Sequence, residues 1–401
     1  MFLQEAIPID DIELKVEHSD RYYYSKSVTG YFTPQMTEEK FNDINSNFIQ
    51  NRFIYKLKNV PAFKDEGFVN NVDNYRSRVR YELASVKNNL GVTENISTDW
   101  ETVVKKVYEN EYFGDELKRT GYFEKDIDVI LNGITNEEQK INVIFDYVKS
   151  KMTWNDEYGF TCDDGVRKAY MAKKGNVAEI NLMLTAMLRY AGFDASPILM
   201  STRSYGLTFF PSLTAFNYVI SGIESNGKII LLDATNKNAL PDVLPIRDLN
   251  WFGRIIRKNG SAAQIDLMPK SNSKDIVSII AKINESGEVT GKIRDQYFDY
   301  NAFVFRDVNA NVSKDNYIEK LEKDHQGLEI GQYEVQNISD LTKPVVENYD
   351  FTTTNAVEII GDKMYLSPFL FFAKTENPFK QEKGNTQLIL FIQIRINSMS
   401  A

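Results

Sequence analysis

Few side chains in this chain could carry out nucleophilic catalysis. Its 401 residues include one cysteine, Cys162, and two histidines, His18 and His325. A cysteine attacks a carbonyl as the thiolate, which normally forms beside a histidine or at a helix N-terminus. Both histidines lie far from Cys162 in the sequence, and no Cys/His spacing is typical of zinc binding. The sequence also has no Gly-rich phosphate loop and no Gly-x-Ser-x-Gly elbow.

Cys162 therefore has two interpretations. It is either a displaced nucleophile or an ordinary thiol in the loop before a buried helix. We favour the ordinary thiol, because no histidine is near it in the sequence. A single cysteine also excludes an internal disulfide, and we expect no metal and no other cofactor. We expect His18 and His325 to be surface or packing residues.

A central helix is predicted to begin just after Gly175. The stretch Gly175-Asn176-Val177-Ala178-Glu179 leads into residues that are apolar on nearly every side, and such a helix is normally buried. Its predicted C-cap is Gly192. Two earlier helices are predicted to begin with capping boxes, at Thr98-Asp99-Trp100-Glu101 and at Thr135-Asn136-Glu137-Glu138.

An antiparallel sheet is predicted to follow the central helix. Two apolar runs, residues 216–220 and 228–233, flank the segment Ser225-Asn226-Gly227. Asn-Gly supplies the positive φ angles of a type I′ turn, so these runs are predicted to form a hairpin. Tyr218 lies in the first strand, and Asp233 lies at the end of the second.

This order of parts is similar to the transglutaminase-like core of the papain-like cysteine hydrolases and acyltransferases. The resemblance covers roughly residues 100–260. It is carried by Gly175-Asn176-Val177, Phe216-Asn217-Tyr218-Val219-Ile220 and Leu231-Leu232-Asp233-Ala234-Thr235. In that family a Gly-x-Cys opens the helix, a His begins a strand, and an Asp on the next strand orients the His. Residue by residue, these three positions fall on Val177, Tyr218 and Asp233.

The resemblance implies an enzyme scaffold that has lost its chemistry. Val177 has no lone pair with which to attack a carbonyl, and an unperturbed phenol such as Tyr218 is a poor base at pH 7. Asp233 has no histidine to orient, and we expect it to form hydrogen bonds with Tyr218 or with backbone N–H groups. No residue at these positions is therefore expected to be catalytic.

Further residues are expected near the former cleft. Arg203 could bind a carboxylate or phosphate through its guanidinium, or it could form a structural salt bridge. Trp154 could stack on a ligand, although packing is the favoured role. Binding and structural roles both stay open for three asparagines that would line the cleft, Asn176, Asn181 and Asn217.

The composition limits the partners of the chain. A net charge of −9 and a pI near 5.1 argue against nucleic acid, because phosphate binding needs a basic surface. No run of about 18 apolar residues predicts a membrane span. The first residues, Met1-Phe2-Leu3-Gln4-Glu5-Ala6-Ile7-Pro8, do not read as a signal peptide. Peptides, proteins and cell-envelope polymers are the expected partners.

The predicted fold class is α+β, with three regions. Residues 1–95 resemble the C-terminal part of a β-sandwich domain, residues 96–265 the transglutaminase-like core, and residues 270–401 a β-rich C-terminal domain with short helices. The tail after about residue 384 is atypical. Bacterial relatives of this kind usually carry an export signal and a longer N-terminal sandwich, so the chain resembles an N-terminally truncated, exported member, periplasmic or at the cell surface.

The function predicted from the sequence is non-catalytic. The former cleft binds a peptide or a cell-envelope polymer, or it serves only as a scaffold. Two alternatives stay open at this point. One is a weak acyltransferase or peptidase that depends on Cys162, and the other is a pure protein-interaction module.

Overall fold

The computed structural model describes residues 1–43, 48–64, 69–207, 210–325 and 327–372. The contacts between Cα atoms divide the described chain into two compact units. The first comprises residues 1–237 and 244–268, and the second comprises residues 238–243 and 269–372. The segment after residue 384, which the sequence marks as atypical, lies outside the described residues. The predicted three-region boundaries stay a prediction.

The first unit begins with six strands: β1 (Ile9–Ser19), β2 (Tyr22–Thr29), β3 (Gln35–Asn42), β4 (Ile49–Val60), β5 (Arg78–Lys87) and β6 (Thr93–Asn95). They form two three-stranded antiparallel sheets, ordered β1-β4-β3 and β2-β5-β6. Alternating polar and apolar residues predicted strands at 12–17 and 78–83, and these strands are present in β1 and β5. Phe53, Tyr55 and Val79 form the centre of the apolar core here.

Five helices follow: α1 (Trp100–Glu109), α2 (Glu124–Leu131), α3 (Glu137–Lys151), α4 (Val166–Ala172) and α5 (Val177–Tyr190). The central helix is confirmed as α5, which is buried from Val177 to Leu188. Gly192 lies just beyond its end with a φ of 93°, the left-handed conformation expected there.

Both predicted capping boxes were placed one residue too early. The N-cap of α1 is Asp99, whose carboxylate accepts from the Thr102 N–H, and the N-cap of α3 is Asn136, which accepts from the Gln139 N–H. The error arises because the predicted residue, Thr98 or Thr135, and the residue after it are both of types that favour the N-cap position. The negative Asp99 side chain has the further advantage of lying at the positive end of the helix dipole.

A short parallel pair, β7 (Thr153–Trp154) and β8 (Lys174–Gly175), leads directly into α5. The main sheet of the unit consists of five strands: β9 (Ala195–Met200), β10 (Tyr218–Ser225), β11 (Lys228–Leu232), β12 (Phe252–Ile256) and β13 (Ala262–Asp266). Their order is β11-β10-β9-β12-β13, and all pairs are antiparallel. The predicted hairpin is confirmed as β10–β11, with φ angles of 52° at Asn226 and 73° at Gly227.

The second unit contains six strands and two helices: β14 (Asp275–Ile283), β15 (Val289–Tyr297), α6 (Asp299–Asn309), α7 (Lys314–Asp324), β16 (Leu328–Gln336), β17 (Val345–Thr353), β18 (Val357–Ile360) and β19 (Lys363–Leu366). The first four strands form an antiparallel sheet ordered β14-β15-β17-β16. Strands β18 and β19 form a separate hairpin, in which Gly361 turns the chain with a φ of 64°.

The observed fold class is therefore α+β, as predicted. Helices and almost entirely antiparallel sheets make up both units. None of the helices in the described ranges is both long enough and apolar enough to cross a membrane.

Candidate functional site

Val177 is the first residue of α5 and is completely buried. A reciprocal capping box precedes it, in which Asn176 accepts from the Glu179 N–H and the Glu179 carboxylate accepts from the Asn176 N–H. The Val177 N–H donates to the Glu157 carbonyl oxygen, at 3.3 Å between nitrogen and oxygen. Three backbone donors at this helix end, the N–H groups of Asn176, Val177 and Glu179, are therefore already engaged within the protein.

The β10–β11 hairpin brings Tyr218 and Asp233 together. Tyr218 is the first residue of β10, and Asp233 directly follows β11. The Tyr218 hydroxyl donates to Asp233 Oδ2 over 2.8 Å, and both side chains are fully buried. This is the hydrogen bond that was expected from the sequence.

Asn181 connects α5 to this pair. Its Nδ2 donates to Asp233 Oδ1 over 2.8 Å and to the Val219 carbonyl over 3.0 Å, while its Oδ1 accepts from the Ala234 N–H over 2.9 Å. Residues four apart lie on the same helix face, so Val177 is one turn before Asn181 on the face that meets Asp233. Asn181 therefore attaches α5 to the Tyr218–Asp233 pair, one turn after Val177.

Asp233 is held as a carboxylate by its neighbours. Burial alone would raise its pKa, but the Arg247 guanidinium and hydrogen bonds that include Asn181 and the Thr235 N–H hold the pKa below its usual value. The Thr235 hydroxyl adds a further donor at 2.8 Å. The lone pairs that would orient a histidine in an enzyme are taken up by these donors.

Arg247 is a member of this site that the sequence did not reveal. Its Nη2 donates to Thr235 Oγ1 over 2.6 Å and lies 3.6 Å from Asp233 Oδ2, and its Nε donates to the Tyr218 hydroxyl over 3.1 Å. Burial lowers its pKa, but Tyr218 and the nearby carboxylates outweigh that effect and raise it. Arg247 therefore supplies the positive charge that balances Asp233. In the sequence, the feature that could have pointed to this residue is the adjacent pair of opposite charges, Arg247-Asp248, which follows Pro241 and Pro245.

Asp248 is the second residue that the sequence did not reveal. It is completely buried, and its carboxyl group interacts with the carboxyl group of Asp233. Arg247 Nε is 3.9 Å from Asp248 Oδ1. Burial, followed by the charge of Asp233, raises the pKa of Asp248 well above its usual value. Asp248 therefore holds its proton more tightly than an exposed aspartate does.

Tyr218 is a poor substitute for a histidine. Burial, Asp233 and Asp248 together raise the pKa of its phenol well above the usual value. A base must lose its proton near the working pH, and this phenol keeps it. Tyr218 consequently serves as a hydrogen-bond donor to Asp233.

Cys162 is buried and electrostatically discouraged from forming a thiolate. Burial raises the pKa of its thiol, and Glu179, Glu116 and Asp163 act in the same direction. The two histidines lie in aromatic clusters, with His18 stacked on Phe53 and His325 beside Phe371.

Asn176 and Asn217 both have structural partners. Beyond its capping bond, Asn176 donates from Nδ2 to the Thr161 carbonyl over 3.0 Å. Asn217 accepts from the Thr202 N–H over 2.8 Å and donates to Thr202 Oγ1 over 3.0 Å. Their side-chain amides hold the loops on either side of the cleft in place.

Arg203 joins two loops of the first unit. Its Nε donates to Asn70 Oδ1 over 2.6 Å, and its carbonyl accepts from Asn71 Nδ2 over 2.6 Å. The Leu207 N–H donates to Asn74 Oδ1 over 2.8 Å, so the segment 70–74 is attached to residues 203–207. Of the two roles considered for Arg203, these contacts favour the structural one.

Trp154 lies at the outer side of the Arg247 cluster. The guanidinium carbon of Arg247 is 4.4 Å from the centre of a Trp154 ring, a cation–π arrangement. Tyr158 packs edge-on against Trp154 at 5.3 Å between ring centres and is 48% exposed. We call Trp154, Tyr158 and Arg247 the aromatic rim.

One cavity of the first unit lies away from Val177. A cavity of about 890 Å³ is lined by Val104, Leu117, Ala186 and Arg189, at the end of α5 that is opposite Val177. No group of three or more His, Cys, Asp or Glu side chains within the described ranges could hold a metal ion.

The comparisons with known proteins agree with the resemblance. Residues 127–207 match the family described as the transglutaminase-like superfamily, a range that includes Val177 and ends before Tyr218. No curated protein matches the chain.

Two solved structures are similar to the chain at 12% identity. One is a candidate protease of Parabacteroides distasonis, with a TM-score of 0.47, covering 92% of this chain and 70% of its own. The other is a candidate cysteine protease of Cytophaga hutchinsonii, with a TM-score of 0.23, covering 58% of this chain and 73% of its own.

Proposed function

Since this chain has a core of the transglutaminase-like superfamily, we propose that it is a non-catalytic member whose former active site has become a structural cluster. The observation that carries the proposal is the bond from the Tyr218 hydroxyl to Asp233, between two completely buried side chains. The carboxylate that would orient a histidine is occupied by Tyr218, Asn181, Thr235 and Arg247.

Three chemical requirements of the enzyme reaction support this proposal. A nucleophile is missing at Val177, and the phenol of Tyr218 holds its proton too tightly to act as a base. The third requirement is an accessible reacting atom, and Val177, Tyr218 and Asp233 are all completely buried.

The alternative enzyme would use Cys162. A reactive cysteine needs a lowered pKa, whereas burial and three carboxylates raise the pKa of this thiol. The structural observations therefore favour the ordinary-thiol interpretation.

Activity measurements test the proposal directly. The protein is incubated with amine-donor and glutamine-acceptor peptides and with peptidase substrates, alongside a thiol-reactive activity probe. We expect no turnover above that of a Cys162→Ala variant, and no labelling of Cys162 by a low probe concentration in the folded protein. Turnover that is lost in Cys162→Ala, or rapid labelling of the folded protein, would establish the enzyme alternative.

A second candidate function is recognition at the aromatic rim. Tyr158 exposes about half of its surface beside Trp154, and the Arg247 side chain keeps a fifth of its surface accessible. Aromatic rings and a guanidinium are the groups that contact peptides and glycans in many interfaces. We infer that the rim is the part of this site that can meet a peptide or a cell-envelope polymer, and we propose an exported location on the family resemblance.

Co-sedimentation with purified peptidoglycan sacculi, together with binding of a fluorescent glutamine-containing peptide, tests the rim. Tyr158→Ala should weaken binding at least several-fold if the rim is used. Tyr112→Ala is the matched control, because Tyr112 is 49% exposed but lies in the segment 111–115. Equal binding by both variants, or no binding by the unaltered protein, would contradict a binding role for the rim. The core would then serve only as a scaffold, and any recognition would belong to the β-rich regions. Pull-downs with each region would then test the interaction-module alternative.

A further inference from the structure

Two acidic side chains face each other inside the second unit. Asp295 on β15 and Glu347 on β17 are direct partners in the strand register, and only 6% and 2% of their surfaces are exposed. Side chains two apart share a sheet face, so Asp295 lies on the face of Ile293 and Tyr297, against which α6 and α7 pack. Two carboxylates so placed in an apolar interior cannot both ionise without a large cost in free energy.

The hydrogen bonds distinguish the two carboxyl groups. Glu347 accepts from the Tyr297 hydroxyl over 2.5 Å and from the Tyr333 hydroxyl over 2.6 Å. An ionised carboxylate is an acceptor only, and two donors suit it well. Asp295 Oδ1 is buried and has no hydrogen-bond partner among the residues the structure describes. Glu347 therefore has donors from two tyrosines, whereas one buried oxygen of Asp295 is left without a donor among the described residues.

The elements around Asp295 supply no compensating charge. On the sheet, Asp275 of β14 adds to the negative field. On α6, Arg306 is held by carbonyl oxygens of residues 337–343, and on α7, Lys314 lies 5.8 Å from the Tyr333 ring centre. Neither carboxylate forms an ion pair within the described ranges. The other titratable groups packed around the pair are tyrosines: Tyr297, Tyr317, Tyr333 and Tyr349.

We propose that Asp295 binds a proton beside Glu347 and that this proton controls how firmly α6 and α7 pack on the β14-β15-β17-β16 sheet. With the proton bound, one negative charge is shared among the tyrosine hydroxyls. Without the proton, the negative charges of Asp295 and Glu347 repel each other across β15 and β17. The layer formed by α6 and α7, here called the helix layer, is then loosened so that water can reach the two carboxylates. This inference is independent of what happens at the aromatic rim.

The proton is expected to leave close to neutral pH. Burial outweighs a hydrogen bond with Tyr297, which lowers the pKa, and with smaller contributions from Asp275 and Glu347 it raises the pKa of Asp295 to about 7. An aspartate in the unfolded chain titrates near 3.9. A raised pKa in the folded state means that the stability present at low pH is lost as the pH rises, up to about pH 7. Opening of the helix layer should increase by up to about tenfold per pH unit below that point and level off above it.

Hydrogen exchange of the full-length protein tests the proposal. Protection factors, which correct for the pH dependence of intrinsic exchange, are measured for peptides from α6, α7 and β15 between pH 5.5 and 8. The unaltered protein should lose protection in these peptides at least tenfold between pH 5.5 and 7.5. Asp295→Asn, which cannot ionise, should keep its protection across the range.

Three comparisons make the result specific. Asp350→Asn lies on the same strand as Glu347 but faces outward toward Lys292, and it should behave like the unaltered protein. Glu347→Gln removes one of the charges that raise the pKa of Asp295, so the midpoint should move to lower pH even if this variant is less stable. Tryptophan fluorescence is an internal control, because all three tryptophans, Trp100, Trp154 and Trp251, belong to the first unit.

The proposal fails if Asp295→Asn retains the pH dependence of the unaltered protein. It also fails if the unaltered protein shows none, or if the Glu347→Gln midpoint does not move.

Discussion

Replacement of Asp233 by alanine is expected to lower the free energy of unfolding by about 3–5 kcal/mol. Asp233 is completely buried and accepts hydrogen bonds from Tyr218, Asn181 and Thr235. Removing it leaves those donors without an acceptor and leaves the mostly buried Arg247 without its counter-charge. Removing one partner of a buried ion pair lowers the stability by much more than the intact pair contributes, because the remaining charge is buried without a counter-charge.

Urea unfolding followed by tryptophan fluorescence measures this effect. Asp115→Ala is the control, since Asp115 also forms an ion pair, with Lys118 at 2.7 Å, but both of these side chains are more than half exposed. Exposed pairs contribute only about 0–1 kcal/mol. A loss for Asp233→Ala as small as that of the control would show that the cluster is not structural.

A double-mutant cycle separates the Asp233–Arg247 interaction from the rest of the cluster. Arg247→Met removes the charge and keeps much of the packing volume against Trp154. If Arg247 is the counter-charge of Asp233, the double variant should lose less stability than the sum of the single variants, by about 1–3 kcal/mol. Strict additivity would mean that Arg247 balances some other group.

Features set by neighbouring residues were predicted well from the sequence. The β10–β11 hairpin was predicted because Asn226-Gly227 favours positive φ angles, and its register then fixes Tyr218 and Asp233 near each other. The central helix was predicted because its residues are apolar on every side. The hydrogen bond between Tyr218 and Asp233 followed from the resemblance and from the need of a buried carboxylate for donors.

Features that depend on how a loop folds back were not predicted. Arg247 and Asp248 lie in a single 3₁₀ turn, Ile246–Asp248, directly after Pro245. The turn is too short for any periodicity in the sequence to show that it returns to the end of β11. The carboxylate pair in the second unit was also missed. Asp295 and Glu347 are 52 residues apart in the sequence and become neighbours only through the pairing register of β15 and β17. The alternation of polar and apolar residues along a strand does not specify that register.

The same reasoning distinguishes the candidate binding residues. Asparagines near a former active site are equally compatible with ligand binding and with loop support when only the sequence is known. The structure engages Asn176 in a capping box and Asn217 with Thr202, so neither needs a ligand to satisfy its amide. Trp154 differs, because one face contacts Arg247 while the neighbouring Tyr158 is open to solvent.

Replacement of Asn181 by leucine is the second change with a large expected effect, a loss of about 2–5 kcal/mol in the free energy of unfolding. Leucine has the same branching and the same number of side-chain heavy atoms, and its methyl groups are bulkier than the amide, so the change deletes hydrogen bonds without opening a cavity. The Ala234 N–H and the Val219 carbonyl lose their amide partner, and Asp233 loses one donor, all in a fully buried setting. Each unsatisfied buried group costs about 1–3 kcal/mol.

Denaturant unfolding of Asn181→Leu, with Asn132→Leu on the exposed end of α2 as control, decides between two roles for the cleft. A surface change such as Asn132→Leu should stay within about 0.5 kcal/mol. A large loss for Asn181→Leu with unchanged binding at the aromatic rim would mean that the amide holds α5 to the β10–β11 hairpin. The opposite result, stable protein with lost ligand binding, would mean that Asn181 contacts a ligand and that the former active site still recognises one. The first result is expected, because all of its polar atoms are already paired inside the protein.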